Sequence, residues 1–394
     1  MDLAYSEEYE DYRAEVRAFL EQNKAKAPAH GERGTMSARE WQQLLIEHGY
    51  AACTVPKEYG GAGLEPDILR SRILAEEFAH ARVPSGHSGD DRIVPVLLEL
   101  GTEEQRQFFV GPSVRGEISW CQGYSEPGSG SDLASLQTRA HVDGDEFVIN
   151  GSKIWTSGAK TAEWMFCLVR TEPDLPKHQG ISYLLISMDT PGIEVRPLKQ
   201  MTGDSQFNEV FFTDCRVPIT SIVGKRGEGW YVANATLKHE RGGLGDPDEA
   251  EKRFGYVLDL MKEETINGER IIDIPSYRDR AMALQGRILS MKFNGMRCLS
   301  HEIKGEDPGL ARWIVKLQGC ELNHQVAGLA IDVLGEIGIL YDNSPHLRDN
   351  GLWQHRYMMD LGLIIGGGTA QIQKNLIGER VLGLPKEPKF EHPI

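Results

Sequence analysis

Four stretches of this 394-residue chain hold residues whose types and spacing suit them to chemistry. The first, Tyr124-Ser125-Glu126-Pro127-Gly128-Ser129-Gly130-Ser131-Asp132, mixes hydroxyls with glycines. Such a turn lets backbone N–H groups and small hydroxyls approach an anionic or planar ligand. The second, Asn150-Gly151-Ser152-Lys153-Ile154-Trp155-Thr156-Ser157-Gly158, places an indole beside two hydroxyl residues. That grouping can stack on a flat heterocycle and hydrogen-bond its edge. In the third, Leu237-Lys238-His239-Glu240-Arg241, a carboxylate stands next to a guanidinium that could orient it; burial and the neighbouring charge would then set its basicity. The fourth, Gly366-Gly367-Gly368-Thr369-Ala370-Gln371-Ile372-Gln373, is a glycine turn opening a helix. Taken singly, each also has an ordinary role: a surface turn, a core tryptophan, a solvated ion pair. No Gly-Lys-Ser/Thr follows the first stretch, which excludes a P-loop, and G-x-G-x-x-G is absent from it. His239-Glu240 does not open a zinc H-E-x-x-H motif, because position 243 is glycine.

The elements that must position these residues fall into three zones. From Ser6, a plausible N-cap, apolar residues at Tyr9, Tyr12, Val16, Phe19 and Leu20 mark a helical face. Similar patterns predict helices over 38–49, 66–79, 90–100 and 103–109. Around Glu117 the period changes. Strands are expected at 118–124, at 138–142 and 146–150 as a hairpin about Asp143-Gly144, and at 164–171, 181–188, 193–197 and 209–213. Consecutive strands without intervening helices indicate an antiparallel barrel or sandwich. Helical periodicity returns over 230–240, 250–264, 276–304, 309–334, 353–363 and 369–382, with runs long enough for an antiparallel bundle. The fold class is therefore α+β and multidomain: a helical domain at 1–117, a β domain at 118–228 and a long-helix bundle at 229–394. Ligand clefts favour the junctions of such domains.

Composition narrows the function classes. Lys plus Arg number 43 and Asp plus Glu 58, a net charge of −15, which argues against a sequence-independent grip on nucleic acid. The cysteines Cys53, Cys121, Cys167, Cys215, Cys298 and Cys320 form no C-x-x-C pair, so a zinc ribbon or thioredoxin-type site is not expected, and no metal site is. No apolar run reaches about 18 residues and the N-terminus is acidic, so neither a membrane span nor a signal peptide is expected and a cytoplasmic location is.

The loop at 124–132 and the tryptophan turn at 155 resemble the acyl-CoA dehydrogenase family, and the resemblance spans nearly the whole chain. Val223-Gly224-Lys225-Arg226-Gly227-Glu228-Gly229-Trp230 is similar to the family's link from barrel to bundle. The 366–373 turn, followed by Gly378-Glu379-Arg380, is similar to its C-terminal signature. The resemblance implies FAD between barrel and bundle, an acyl-CoA thioester against the flavin, and electrons passed to an electron-transfer flavoprotein. Tyr124 and Ser125 would contact the isoalloxazine, Trp155 would pack on it, Ser157 would lie near N5, and Thr369 and Gln371 would reach other parts of FAD. Ser131 matches a position near the CoA pantetheine or phosphates. The backbone N–H of Gly367 would be a donor to the thioester oxygen.

Many members carry their base as a glutamate where this chain has Gly367. Glycine cannot take a proton, and Glu240, with Arg241 beside it, occupies the position used by members that act on branched or bulky acyl groups. The family's Arg-x-x-Phe-Gly segment is missing near Tyr277-Arg278-Asp279-Arg280, and its glutamine before Leu-Gly-Gly is replaced by Asp332. Some steroid side-chain dehydrogenases with the same Gly-Gly-Gly-Thr and His-Glu-Arg pattern are α2β2 assemblies of two unlike chains. Either that arrangement with a paralogous chain or a homotetramer is expected. Three functions remain open: α,β-dehydrogenation of a branched, bulky or steroid side-chain acyl-CoA, a catalytically silent partner subunit, and a flavin oxidase or monooxygenase on the same fold.

Overall fold

Hydroxyl and carboxylate caps fix where the first helices begin. The computed structural model describes residues 5–28, 35–240, 245, 247–341, 344–386 and 388, in two compact units, Met1–Glu240 and Arg241–Ile394. The first unit opens with helices α1 (Glu7–Asn23), α2 (Ala38–Glu47), α3 (Ile68–Ala81), α4 (Val94–Leu100) and α5 (Glu103–Val114). Ser37 with Glu40, and Thr102 with Gln105, form reciprocal capping boxes at α2 and α5, satisfying backbone donors a helix start leaves open. Helix α4 starts later than its periodicity predicts, because the Asp90 carboxylate accepts from the backbone N–H of Arg92 and Ile93 and so stabilises a turn instead. Arg13 and Arg17 clamp α1 to α3 through the buried Glu77, at 2.7 Å each.

Eight strands follow: β1 (Trp120–Gly123), β2 (Arg139–Asp143), β3 (Glu146–Lys153), β4 (Trp164–Arg170), β5 (Ile181–Ser187), β6 (Ile193–Leu198), β7 (Phe207–Pro218) and β8 (Ile222–Val223). The order is β6-β7-β3-β2-β4-β5-β8, with β1 also paired to β4. The pairing is antiparallel except for β1 and β2, which each run parallel to β4, an arrangement the sequence pattern does not reveal. Strand β4 is apolar from Trp164 to Val169 because it serves two cores. Phe166 and Leu168 face the helical side with Tyr183 and Leu185, while Met165, Cys167 and Val169 face an all-β core with Cys121, Leu184 and Ile186. The 143–146 hairpin turns on Gly144-Asp145, with Gly144 at φ 66°.

Helix α6 (Gly229–Glu240) ends the first unit. Its Val232 and Ala233 are buried in the helical core, and Thr236 Oγ1 lies 3.3 Å from the Tyr183 hydroxyl of β5. Gly229 makes the close approach possible: a Cβ there would stand 2.5 Å from the Ser182 carbonyl carbon.

The second unit contains α7 (Pro247–Glu263), a small hairpin of β9 (Thr265–Ile266) and β10 (Glu269–Arg270), α8 (Pro275–Ile303), α9 (Leu310–Leu334), α10 (Leu352–Ile365) and α11 (Ala370–Leu376). Phe254, Val257 and Leu260 of α7, Ile288 of α8 and Leu322, Val326 and Leu329 of α9 share its core. The hairpin turns on Asn267-Gly268, both at positive φ, a short-range signal within an otherwise helical zone.

Gly229→Ala is expected to lose about 1–3 kcal/mol in thermal or denaturant unfolding, because backbone atoms of β5 must give way. Gly255→Ala, within α7 and with nothing within 4 Å of the added carbon, is expected to gain about 0.5–1 kcal/mol from helix propensity.

Candidate active site

In the first unit the two signature stretches come together through a buried ion pair. Strand β1 ends at Gly123, where a Cβ would lie 2.5 Å from Met165 Sδ, so a larger residue would require the Met165 side chain to move. Beyond it, the Ile154 N–H donates to the Ser125 carbonyl at 2.8 Å. Lys153, at 0% exposure, donates from Nζ to Glu126 Oε1 at 2.7 Å and to the Tyr124 carbonyl at 3.2 Å. Glu126 also accepts the backbone N–H of Gln137 at 2.5 Å and of Thr138 at 2.9 Å. One carboxylate and one ammonium thus join the 124–126 loop, the end of β3 and the start of β2. Burial, the largest influence, pushes the Glu126 carboxyl up; the Lys153 charge and the donated hydrogen bonds outweigh it and hold the group below the ordinary carboxylate value.

The loop then folds back on itself. Glu126 and Ser129 exchange backbone hydrogen bonds at 2.9 and 3.0 Å, and Ser129 Oγ donates to the Asp132 carbonyl at 2.8 Å. A Cβ on Gly128 or Gly130 would meet no heavy atom within 4 Å, and neither residue has positive φ. The chain itself therefore does not require glycine at either place, whereas a ligand lying against this loop would.

On the facing turn Trp155 adopts φ 60° and remains 59% exposed, with only Phe207 edge-on at 6.0 Å among the ring contacts. A bulky residue in the left-handed region costs about 1–3 kcal/mol and concentrates at functional sites. The turn is clamped to β7 by paired backbone bonds between Thr156 and Asn208 at 3.0 and 3.1 Å. Thr156 Oγ1 and Asn208 Oδ1 are buried with no partner among the described residues. Behind the loop, Phe166 and Tyr183 stack at 6.1 Å with a 3° interplanar angle, and Tyr124 stands edge-on to both. Arg92, paired with Asp90, lies 5.2 Å over the Phe166 ring.

In the second unit, α10 ends at Ile365 and the chain turns through Gly366, then Gly367 at φ 62° and Gly368 at φ 90°. Thr369 caps α11 by accepting the Ile372 N–H at 3.2 Å. Lys316 of α9 reaches this turn from below, donating to the Gly368 carbonyl at 2.6 Å and the Ile364 carbonyl at 3.1 Å.

Of the residues singled out by sequence, Tyr124 is buried, while Ser131, Trp155 and Ser157 are exposed, all in the first unit with Ser125. Gly367 and Gln371 are exposed and Thr369 is half-buried, in the second. Glu240 is the last residue of α6; its side chain, and Arg241, lie outside the described residues. Among the described residues there is no group of three or more side chains able to hold a metal, and no helix long and apolar enough to cross a membrane. Sequence reading missed the roles of Glu126, Lys153 and Lys316. A signal was present for the first two: opposite charges inside the two signature stretches themselves.

Comparison with known proteins accounts for the whole arrangement. Family models match residues 6–117 as the acyl-CoA dehydrogenase N-terminal domain, 121–215 as the middle domain and 227–382 as the C-terminal domain. This chain belongs to the acyl-CoA dehydrogenase family. It is an oxidoreductase acting on a CH–CH bond, with a helical domain, a β domain and a second helical domain. It is 36% identical to the acyl-CoA dehydrogenase IpdE1 of Mycobacterium tuberculosis, over 97% of this chain and 100% of that protein. Among solved structures it is similar to the Tcur3481-Tcur3483 steroid ACAD, with a TM-score of 0.81, 29% identity, and coverage of 98% of this chain and 100% of that chain. It is likewise similar to the ChsE4-ChsE5 complex from Mycobacterium tuberculosis, with a TM-score of 0.80, 30% identity, and coverage of 98% and 100%.

Lys153→Met leaves Glu126 buried without its cation and is expected to cost about 3–5 kcal/mol in unfolding at neutral pH. Glu126 titrates below its ordinary 4.5 in the folded chain. Its contribution is therefore full above that value and is lost as pH falls through the depressed one. Stability curves of the wild type and the variant should converge on acidification.

Proposed function

We propose that this dehydrogenase binds FAD and an acyl-CoA thioester and produces the trans-2-enoyl-CoA, with electrons passed to an electron-transfer flavoprotein. The observation that carries the reading is the 155–156 turn. It holds an exposed indole at strained φ beside a buried, unpartnered Thr156 hydroxyl, opposite a loop whose glycines leave room for a ligand. A planar ligand with polar edges would explain all three features at once. Tyr124, Ser125, Trp155 and Ser157 would hold the isoalloxazine, Thr369 and Gln371 other parts of FAD, and Ser131 the CoA moiety. FAD, when bound, supplies the acceptor for the β-hydrogen, which leaves as hydride.

The chain's own groups do the rest. Glu240 takes the proton from the carbon next to the thioester, with Arg241 orienting the carboxylate. As that proton leaves, charge develops on the thioester oxygen, and a preorganised backbone donor at Gly367 stabilises it. Its positive φ fits glycine and penalises the glutamate that many relatives place there. The missing side chain leaves volume for a bulky acyl group. A steroid side chain is our assignment, supported by the similarity to a steroid ACAD.

We also propose an α2β2 assembly with a paralogous chain. Two similar structures carry paired-chain names. In addition, Asp332, half-exposed and 2.6 Å from Arg280, stands where the family has a glutamine, and a carboxylate there would repel the pyrophosphate of a neighbour's FAD.

The test is anaerobic mixing of flavin-loaded protein with straight-chain, branched and steroidal CoA thioesters, followed by flavin absorbance. Bleaching is expected with the bulky members, and Glu240→Gln should keep the flavin spectrum while slowing bleaching by about 10²–10⁴-fold. Normal bleaching by the variant would remove Glu240 from its role. Hydrogen peroxide formation in air would favour an oxidase.

A further inference from the structure

Lys316 is 6% exposed, yet no carboxylate pairs with it among the described residues. A buried cation without a counter-ion is costly unless its protons are taken up elsewhere. Here the two acceptors are backbone carbonyls at the end of α10 and in the glycine turn, Ile364 at 3.1 Å and Gly368 at 2.6 Å. Burial pushes the pKa of the ammonium down, and the nearby Cys320 thiol opposes that only in part. A methionine would fill similar apolar space at no electrostatic cost, so the charge calls for a function that filling alone does not supply.

The same turn of α9 makes a second close contact. A Cβ on Gly319 would lie 2.2 Å from the Gly245 carbonyl oxygen and 2.5 Å from its Cα. A Cβ on Gly245 would lie 2.6 Å from the Val315 carbonyl oxygen. The backbone at 245 therefore rests directly on residues 315–319. This one helical turn meets the glycine turn at 366–368 through its ammonium and the backbone at Gly245 through its glycine.

We propose that Lys316 is a positioning residue for the dehydrogenation: it fixes the 366–368 turn and sets an unneutralised positive charge beside it, favouring negative charge on the thioester oxygen as the α-proton leaves. This rests on the reading that Gly367 is a donor to that oxygen. Gly367 and Gly368 both lie in the left-handed region, which glycine adopts without steric cost but with a large loss of conformational freedom. A turn built from three glycines supplies no side-chain packing to hold its own N–H groups in place. The Gly366 N–H is taken by the Gly362 carbonyl at 2.7 Å; the ammonium constrains the turn from outside, on the carbonyls, leaving the Gly367 N–H for a ligand.

The test uses acetoacetyl-CoA, which can lose its α-proton to give an absorbing enolate without giving up hydride, on the assembled, flavin-loaded protein. Wild type is expected to lower the ionisation midpoint of the bound thioester. Lys316→Met is expected to raise that midpoint by about one pH unit or more, and to speed hydrogen exchange at residues 364–369 in the protein without ligand. Lys316→Gln, which retains a donor but no charge, should restore slow exchange while leaving the midpoint high. An unchanged midpoint in Lys316→Met, with folding verified by circular dichroism, would overturn the proposal. A merely structural lysine would change exchange or melting temperature and leave the midpoint alone, which also overturns it. Failure of the wild type to shift the midpoint at all would instead count against the thioester reading itself.

Discussion

A lysine without exposed surface bound to a single carboxylate is the constraint on which the first unit's site depends. Lys153 and Glu126 sit 2.7 Å apart where three pieces of chain meet: the loop after β1, the end of β3 and the approach to β2. Buried pairs of this kind rarely add net stability over apolar packing of the same volume. What this pair does is take up backbone groups that no ladder can reach. The Tyr124 carbonyl and the N–H groups of Gln137 and Thr138 lie outside regular strand pairing, and the pair absorbs all three. Without it, a loop of small residues would face a buried interior with its polar groups unmet.

The second unit answers a similar problem in a similar way. Its glycine turn has no side chains with which to brace itself, and again a buried lysine collects carbonyls, those of Ile364 and Gly368. In both units, then, the segment we assign to a ligand is built of small residues and anchored by a buried cation. Glycine and serine leave room on one side; a cation behind them holds the main chain. The α6 helix, carrying Glu240 at its end, is set by contacts of another sort, the Gly229 approach to β5 and the Tyr183–Thr236 contact.

Much of this was legible in the sequence because the relevant forces are local. Apolar periodicity placed the starts of α2 and α5 at 38 and 103, where Ser37 and Thr102 cap the backbone, whereas Ser6, read as the cap of α1, stands at that position without a side-chain cap bond. Helix and strand periods separated the three zones, and the two signature stretches marked the loop and the tryptophan turn. What sequence spacing did not yield was set by distant partners. The parallel pairing of β1 and β2 with β4 depends on crossovers that no period records. The late start of α4 depends on one Asp90 carboxylate outcompeting a helical turn. Lys316 sits in a run such as Trp313-Ile314-Val315-Lys316-Leu317 that reads as an ordinary helix with a surface charge. Only its inward face, and the glycine turn some 50 residues later, give it meaning.

The most direct measurement is the affinity of FAD for the assembled protein, by titration of flavin fluorescence, compared between wild type and Lys153→Met at a temperature where both are folded. If the buried pair shapes the flavin loop, the variant will bind FAD at least about tenfold more weakly, equivalent to about 1.4 kcal/mol. Equal affinity in a folded variant would contradict the account, since the loop would then hold its form without the ion pair behind it.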